Sequence, residues 1–285
     1  MSEDEQPEQP GFTQAEELRK LTPDLAETEK PPETVEPNPY GHPIGYFDAQ
    51  VQFAEKWAEI TGEDTTKTLL EKTALYRRIW QQKAPVDSMP ENWTDLLDGL
   101  GKDANNEDVT NLLYGAYIAQ PHSAYTPPER TGAFGYDYLA DRHIVKIHFT
   151  NPERGESPFS EENMQKRRRE FKQKLEAVLV DHPDAETLMS ASWIRSTSSY
   201  RSMSPPDIAE QQSLMAPDMA FGGDSLWGQF IDKNGNTNQR VYDQFINAIG
   251  RAHSVEDLLA AFPYKVLRAE DPISKYYEYY GVDVP

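Results

Sequence analysis

Residues 190–206, SASWIRSTSSYRSMSPP, set a tryptophan and two arginines among hydroxyl side chains. A guanidinium fork beside hydroxyl donors suits bidentate capture of a carboxylate or phosphate. Arg195, Ser198, Tyr200 and Arg201, with Trp193 next to them, therefore form a candidate anion-binding group. A second group lies in HIVKIHFTNPER, where His148 ends a β-branched run and Thr150, Asn151 and Arg154 follow. A neutral imidazole can serve as a general base near pH 7, so His148 is the candidate catalytic residue and Asn151 and Arg154 extend the substrate-binding set. The competing reading buries Trp193 in the core, pairs the arginines with some of the 48 acidic side chains, and leaves His148 as a hydrogen-bonded structural residue.

These groups need elements to hold them. HIVKIHF reads as a strand, with His143 and His148 on opposite faces and therefore unsuited to sharing one metal ion. A helix follows to about Val180, with Ser157 as cap, Pro158 in its first turn, and Met164, Phe171, Leu175 and Val178 as its buried stripe. TLMSASWI is a second strand, in which Trp193 and Arg195 share a face opposite Ser190, Ser192 and Ile194. Strand, helix and strand in this order fit a right-handed parallel crossover, whose carboxyl edge is where open sheets bind ligands. DSLWGQFID reads as a third strand and DKNGN as a turn, because Gly235 comes too early for a calcium loop and no Glu closes it. A helix capped by Asn236, a helix at 254–262, a strand YKVLRA and the aromatic tail ISKYYEYYGV complete this section.

The stretch from 46 to 140 reads as helical. Phe47, Val51, Ala54 and Ala58 form one stripe of a helix ending near Gly62, and EDTTKTLLEKTALYRRIW continues as another. ENWTDLLDGLG and the Asn-capped NNEDVTNLLYGAYIAQ follow, separated by prolines. Residues 1–45 differ: they hold eight of the 22 prolines and eleven of the 48 acidic residues, a composition that cannot bury enough surface to order itself. The expected organisation is a disordered acidic tail at 1–45, a helical section at 46–140 and an α/β section at 141–285, the last two forming one compact domain. The expected fold class is α/β, with α+β as the alternative: a small, mostly parallel or mixed sheet covered by helices.

Composition narrows the function. The chain of 285 residues has no cysteine, which removes disulfides, thiolate nucleophiles and cysteine-held metals together. A formal net charge of -20 opposes generic binding to nucleic acid or anionic membranes. The basic run KRRREFKQK, residues 166–174, interleaves with apolar positions and reads as a solvated helix face or a dock for the acidic tail. No apolar run of about 18 residues is present to span a bilayer, and the acidic N-terminus lacks a signal-peptide pattern, so a cytoplasmic location is expected. Nucleotide, dinucleotide, nucleophile-elbow and zinc-protease motifs are all missing.

The stretch IHFTNPERGESPFSEENMQKRRREFKQKLEAVLVDHPDAETLMSASWI resembles the C-terminal half of bacterial GNAT-related acyltransferases. The matching positions are His148, Gly155, Pro158, His182, Pro183, Ser192 and Trp193. The resemblance covers about a sixth of the chain and implies an acyl transferase using acyl-CoA, although the family's glycine-rich pyrophosphate loop has no counterpart here. Two functions follow as expectations. One is a small-molecule-binding enzyme, a transferase acting on an anionic substrate. The other is a non-catalytic interaction protein whose acidic tail and aromatic C-terminus engage a protein partner.

Overall fold

A computed structural model describes residues 41–85, 88–100, 104–120, 132–153, 155–210, 213–215 and 220–284. Arg154 and residues 1–40 of the expected tail lie outside them. The tail boundary expected at 45 moves back, because Gly41–Pro43 already packs on the body and Pro43 starts the first helix, α1 (Ile44–Thr61). Burial on nearly all sides of α1, from Tyr46 and Phe47 to Trp57 and Ala58, makes it the central helix of the first core. Gly45 is needed there, since a β-carbon would collide with Thr237. The left-handed Gly62, at φ 75°, stops the helix.

The helix expected across EDTTKTLLEKTALYRRIW is two: α2 (Thr65–Glu71) and α3 (Leu75–Trp80). The buried Gln50 side chain accepts from the Ala74 backbone N–H at 2.7 Å, replacing the helical bond that a continuous helix would make. Helices α4 (Glu91–Leu97) and α5 (Asn106–Ala119) follow, the latter closed by a capping box between Asn105 and Asp108. The first core is aromatic: the Phe53 ring meets Trp57, Phe221, Trp227, Phe245 and Phe262 at 5.4–6.4 Å. Its second half therefore comes from residues 220–266, far along the chain.

The mixed five-stranded sheet has the order β1 (Phe134–Leu139), β2 (Ile144–Phe149), β3 (Thr187–Ser192), β5 (Leu267–Pro272), β4 (Ser213–Leu214). β2 and β3 are parallel, joined by α6 (Glu161–Asp181), as the strand–helix–strand pattern requires; the other pairings are antiparallel. This is an α/β fold with a mixed sheet. β1 falls inside the stretch expected to be helical, and it pairs with β2 through a turn in which His143 is left-handed at φ 52°. The second core lies between one sheet face, with Phe134, Val145, Ile147, Leu188 and Ala269, and the helices α6 and α12 (Ile273–Tyr280), with Phe171, Leu175, Val178 and Tyr276.

Three local expectations are corrected. The cap of α6 is Ser160, whose side chain accepts from the Asn163 N–H, with Ser157 and Pro158 upstream in the loop. DSLWGQFID is not a strand: it forms the short helix α9 (Asp224–Trp227) and a 3-10 turn, so that Leu226, Trp227 and Phe230 all reach the core. The helix after the DKNGN turn, α10 (Gln239–Ile249), begins at Asn238, not Asn236. The α6 basic run is partly internal. Arg167 is fully buried and pairs with Glu153 and Glu170, Lys166 pairs with Glu153, and Arg168 donates to the Ser202 carbonyl at 2.6 Å. Among the described residues no helix is long and apolar enough to cross a membrane.

Candidate functional site

The strand expected to carry Trp193 and Arg195 ends at Ser192, whose side chain turns back to accept from the Ile194 N–H and starts a 3-10 turn at Trp193–Ser196. Strand parity is lost there. Arg195 folds under β3, donates to the Ser190 hydroxyl it was expected to face away from, and reaches the Ser204 hydroxyl at 3.4 Å. It is 2% exposed and lies 5.6 Å from the Tyr200 ring centre. Phe134, Ile147, Phe171, Leu188 and Tyr276 complete the enclosure, which leaves about 10 Å³, roughly the room of one water. Burial raises the Tyr200 and Tyr276 hydroxyls, the second to about 12, so both stay protonated donors.

The other expected residues go elsewhere. His148 alternates with Ile147 on β2 and so lies on the opposite sheet face from Arg195, where its Nε2 meets Asp137 Oδ2 at 2.7 Å in an exposed pair. Ser198 and Arg201 are exposed on the helical turn α7 (Ser198–Arg201). Asn151 accepts from the Glu153 N–H as a loop turn, and Trp193 packs against Tyr264 with 5.5 Å between ring centres. Of the expected residues that are among those described, the structure brings together Arg195 and Tyr200 only.

A different cluster converges on Asp224. Its carboxylate accepts from the Tyr46 hydroxyl at 2.9 Å, from Arg78 Nη2 at 3.1 Å and from His42 Nε2 at 3.2 Å. His42 continues the chain of contacts: its Nδ1 lies 3.3 Å from the Tyr117 hydroxyl, which also accepts from the His42 backbone N–H at 3.0 Å. Each member comes from a separate piece of the first core: His42 from the entry to α1, Tyr46 from α1, Arg78 from α3, Tyr117 from α5 and Asp224 from the start of α9. Arg77 stands beside them, exposed, with Nη1 3.4 Å from the Gly222 carbonyl.

The electrostatics of this cluster are strongly coupled. Burial would raise the Asp224 carboxyl, but the Arg78 charge, reinforced by His42 and Tyr46, outweighs it and holds the acid well below the usual carboxylate range. Burial and the Asp224 charge push the Tyr46 hydroxyl far above its ordinary value, and burial raises Tyr117. Burial opposes the Arg78 charge, yet Asp224 more than restores it. The Asp224 side chain is nonetheless 43% exposed, so the carboxylate is gripped by its partners on one side and open to water on the other. Arg78 Nε is buried with no hydrogen-bond partner among the described residues. An unmade buried donor costs about 1–3 kcal/mol, and in native proteins such a group is commonly met by a water or an ion.

No spacing in the sequence announces this cluster, because its members are separated by most of the chain. The local hints are GHPIGY at the start of α1, which carries His42 and Tyr46, and FGGDSLW at the start of α9, which carries Asp224. No family model matches the chain, and neither a curated protein nor a solved structure does so. Function is therefore argued from the geometry.

Proposed function

We propose that the protein binds a small anionic molecule, a carboxylate or a phosphate ester, at the cluster around Asp224. The observation that carries this reading is Arg78, whose Nη2 is held by Asp224 while its Nε is buried and unpartnered. Arg77 and Arg78 together outweigh the one carboxylate, and the Tyr46 and Tyr117 hydroxyls stay protonated donors. Two arginines beside one carboxylate leave a local excess of positive charge in a chain of net charge -20, a contrast that favours a small anion over a polyanion. A cytoplasmic, bacterial transferase with an acyl-CoA or other anionic donor is consistent with the cysteine-free composition and with this site. The Arg195 enclosure supports the reading less well, since about 10 Å³ is far below the several hundred Å³ or so of ordinary ligand pockets.

The test is a thermal-shift series on the full chain with inorganic phosphate, acetate, sugar phosphates, nucleotides and acyl-CoAs. A ligand at about 100 times its Kd should add about 2.7 kcal/mol. The shift should vanish in Arg77→Ala and Arg78→Met and persist in Arg195→Ala. No shift with any anion, or a shift that survives in both Arg77→Ala and Arg78→Met, would overturn the proposal.

A second reading, a non-catalytic interaction protein, is favoured by the separation of His148, Arg195 and Arg201: His148 and Arg201 reach solvent at different places, and Arg195 is buried under β3. Its sequence support is the acidic stretch 1–45 and the aromatic C-terminus. Deleting residues 1–40 and finding that a purified basic partner protein binds as before would remove it.

A further inference from the structure

The Asp224 cluster also contains the geometry of nucleophile, base and orienting acid. The Tyr117 hydroxyl stands 3.3 Å from His42 Nδ1, and His42 Nε2 stands 3.2 Å from Asp224 Oδ2. A carboxylate only accepts, so Nε2 carries the proton that bonds Asp224, and Nδ1 is left as the acceptor facing Tyr117. A hydroxyl within reach of a base whose far nitrogen is fixed by a third group is the arrangement that activates a weak nucleophile. The acid is fixed in turn by Tyr46 and Arg78, so the imidazole is oriented by a carboxylate that cannot itself swing away.

We propose that Tyr117, His42 and Asp224 act as a catalytic triad on an anionic ester, with Tyr117 as nucleophile and His42 as base; this rests on the Asp224 cluster being the ligand site. The Tyr117 oxygen attacks the electrophilic carbon or phosphorus, and a bond forms between them. The bond to the leaving oxygen breaks, and the Tyr117 proton passes to His42 Nδ1 and from there to that leaving oxygen. Asp224 stabilises the imidazolium in between, and Arg77 and Arg78 hold the anionic part of the ester. Water or an acceptor hydroxyl then releases the group from Tyr117 and restores the phenol.

The reaction can be read without knowing the substrate. Benzenesulfonyl fluoride takes a phenol oxygen on sulfur and expels fluoride, the displaced proton passing to the base. The full chain is treated with this reagent and the modified tyrosines are located by peptide mass spectrometry. Tyr117 should be modified faster than the exposed Tyr279, and His42→Gln and Asp224→Asn should each slow it by about 100-fold, the scale of general-base catalysis. Leu258→Ala, a core change outside the triad, should leave the rate within about threefold, well short of that general-base factor. Modification that avoids Tyr117, or that falls as much in Leu258→Ala as in His42→Gln, would overturn the triad. The two proposals fail separately. Anion binding without Tyr117 modification leaves a binding site and removes the triad, whereas Tyr117 modification without any anion shift removes the anionic substrate and leaves only a base-activated hydroxyl.

Discussion

Replacing Asp224 by Asn keeps the shape of the side chain and removes its charge, which isolates the electrostatic role of the cluster. Three donors lose a charged acceptor: Tyr46 at 2.9 Å, Arg78 at 3.1 Å and His42 at 3.2 Å. A hydrogen bond to a charged group is worth about 1.5–3 kcal/mol and a neutral one about 0.5–1.5 kcal/mol, so each loses about 1 kcal/mol. The sum, about 3 kcal/mol, is reduced because the Asp224 side chain is 43% exposed and partly screened by water. The expected loss is about 2 kcal/mol, or about 4–8 °C in Tm for a chain of this size. Urea unfolding of wild type, Asp224→Asn, Arg78→Met and the double variant gives the coupling directly. It should be about 1–2 kcal/mol, the range for residues in one ion-pair network. An Asp224→Asn loss under about 0.5 kcal/mol, or a coupling indistinguishable from zero, would show an ordinary surface pair and refute the convergence argued for this cluster.

Further outcomes follow from other positions. Because the folded Asp224 acid is depressed below its unfolded value near 3.9, its contribution is present above about pH 4 and is lost as pH falls below it; the stability gap between wild type and Asp224→Asn should therefore narrow from pH 7 to pH 3, measured as urea midpoints. Arg195→Ala removes a buried fork from Ser190 and Ser204 and opens a cavity, so it should cost about 3 kcal/mol in urea unfolding while the anion-induced shift remains. Gly132→Ala places a β-carbon against the Glu170 carboxylate at φ 59° and should lower stability by about 1–2 kcal/mol, read as Tm. Asn105→Ala removes the cap of α5 and should cost about 1 kcal/mol by the same measurement.

What was legible in the sequence was local. The β2–α6–β3 crossover followed from β-branched runs flanking one long amphipathic helix, and an Asn cap for α5 from the asparagines that open NNEDVTNLL, with Asn105 the one that caps. The errors arose where two states share a pattern. SASWIR alternates like a strand, yet the Ser192 hydroxyl takes the Ile194 N–H and converts the next residues to a 3-10 turn, which reverses the face of Arg195. Leu226, Trp227 and Phe230 read as a strand run, but their shared burial needs a helical turn. The helix break at 72–74 depended on Gln50, a residue of another helix. The Asp224 cluster was illegible for the same reason on a larger scale: no window of the chain contains even two of its distant partners except His42 and Tyr46.

The interleaving of the two cores has a consequence for how the protein is made. α1 to α5 emerge first from the ribosome, but the aromatic partners that cover them, Trp227, Phe245 and Phe262, come after the whole sheet segment has been synthesised. The sheet waits as well, because β5 separates β3 from β4 and is the last of the five strands to be made. At about 5–20 residues per second, the early helices stay uncovered for on the order of ten seconds or more. The nascent chain therefore carries an uncovered aromatic surface for as long as the sheet segment between them is being made.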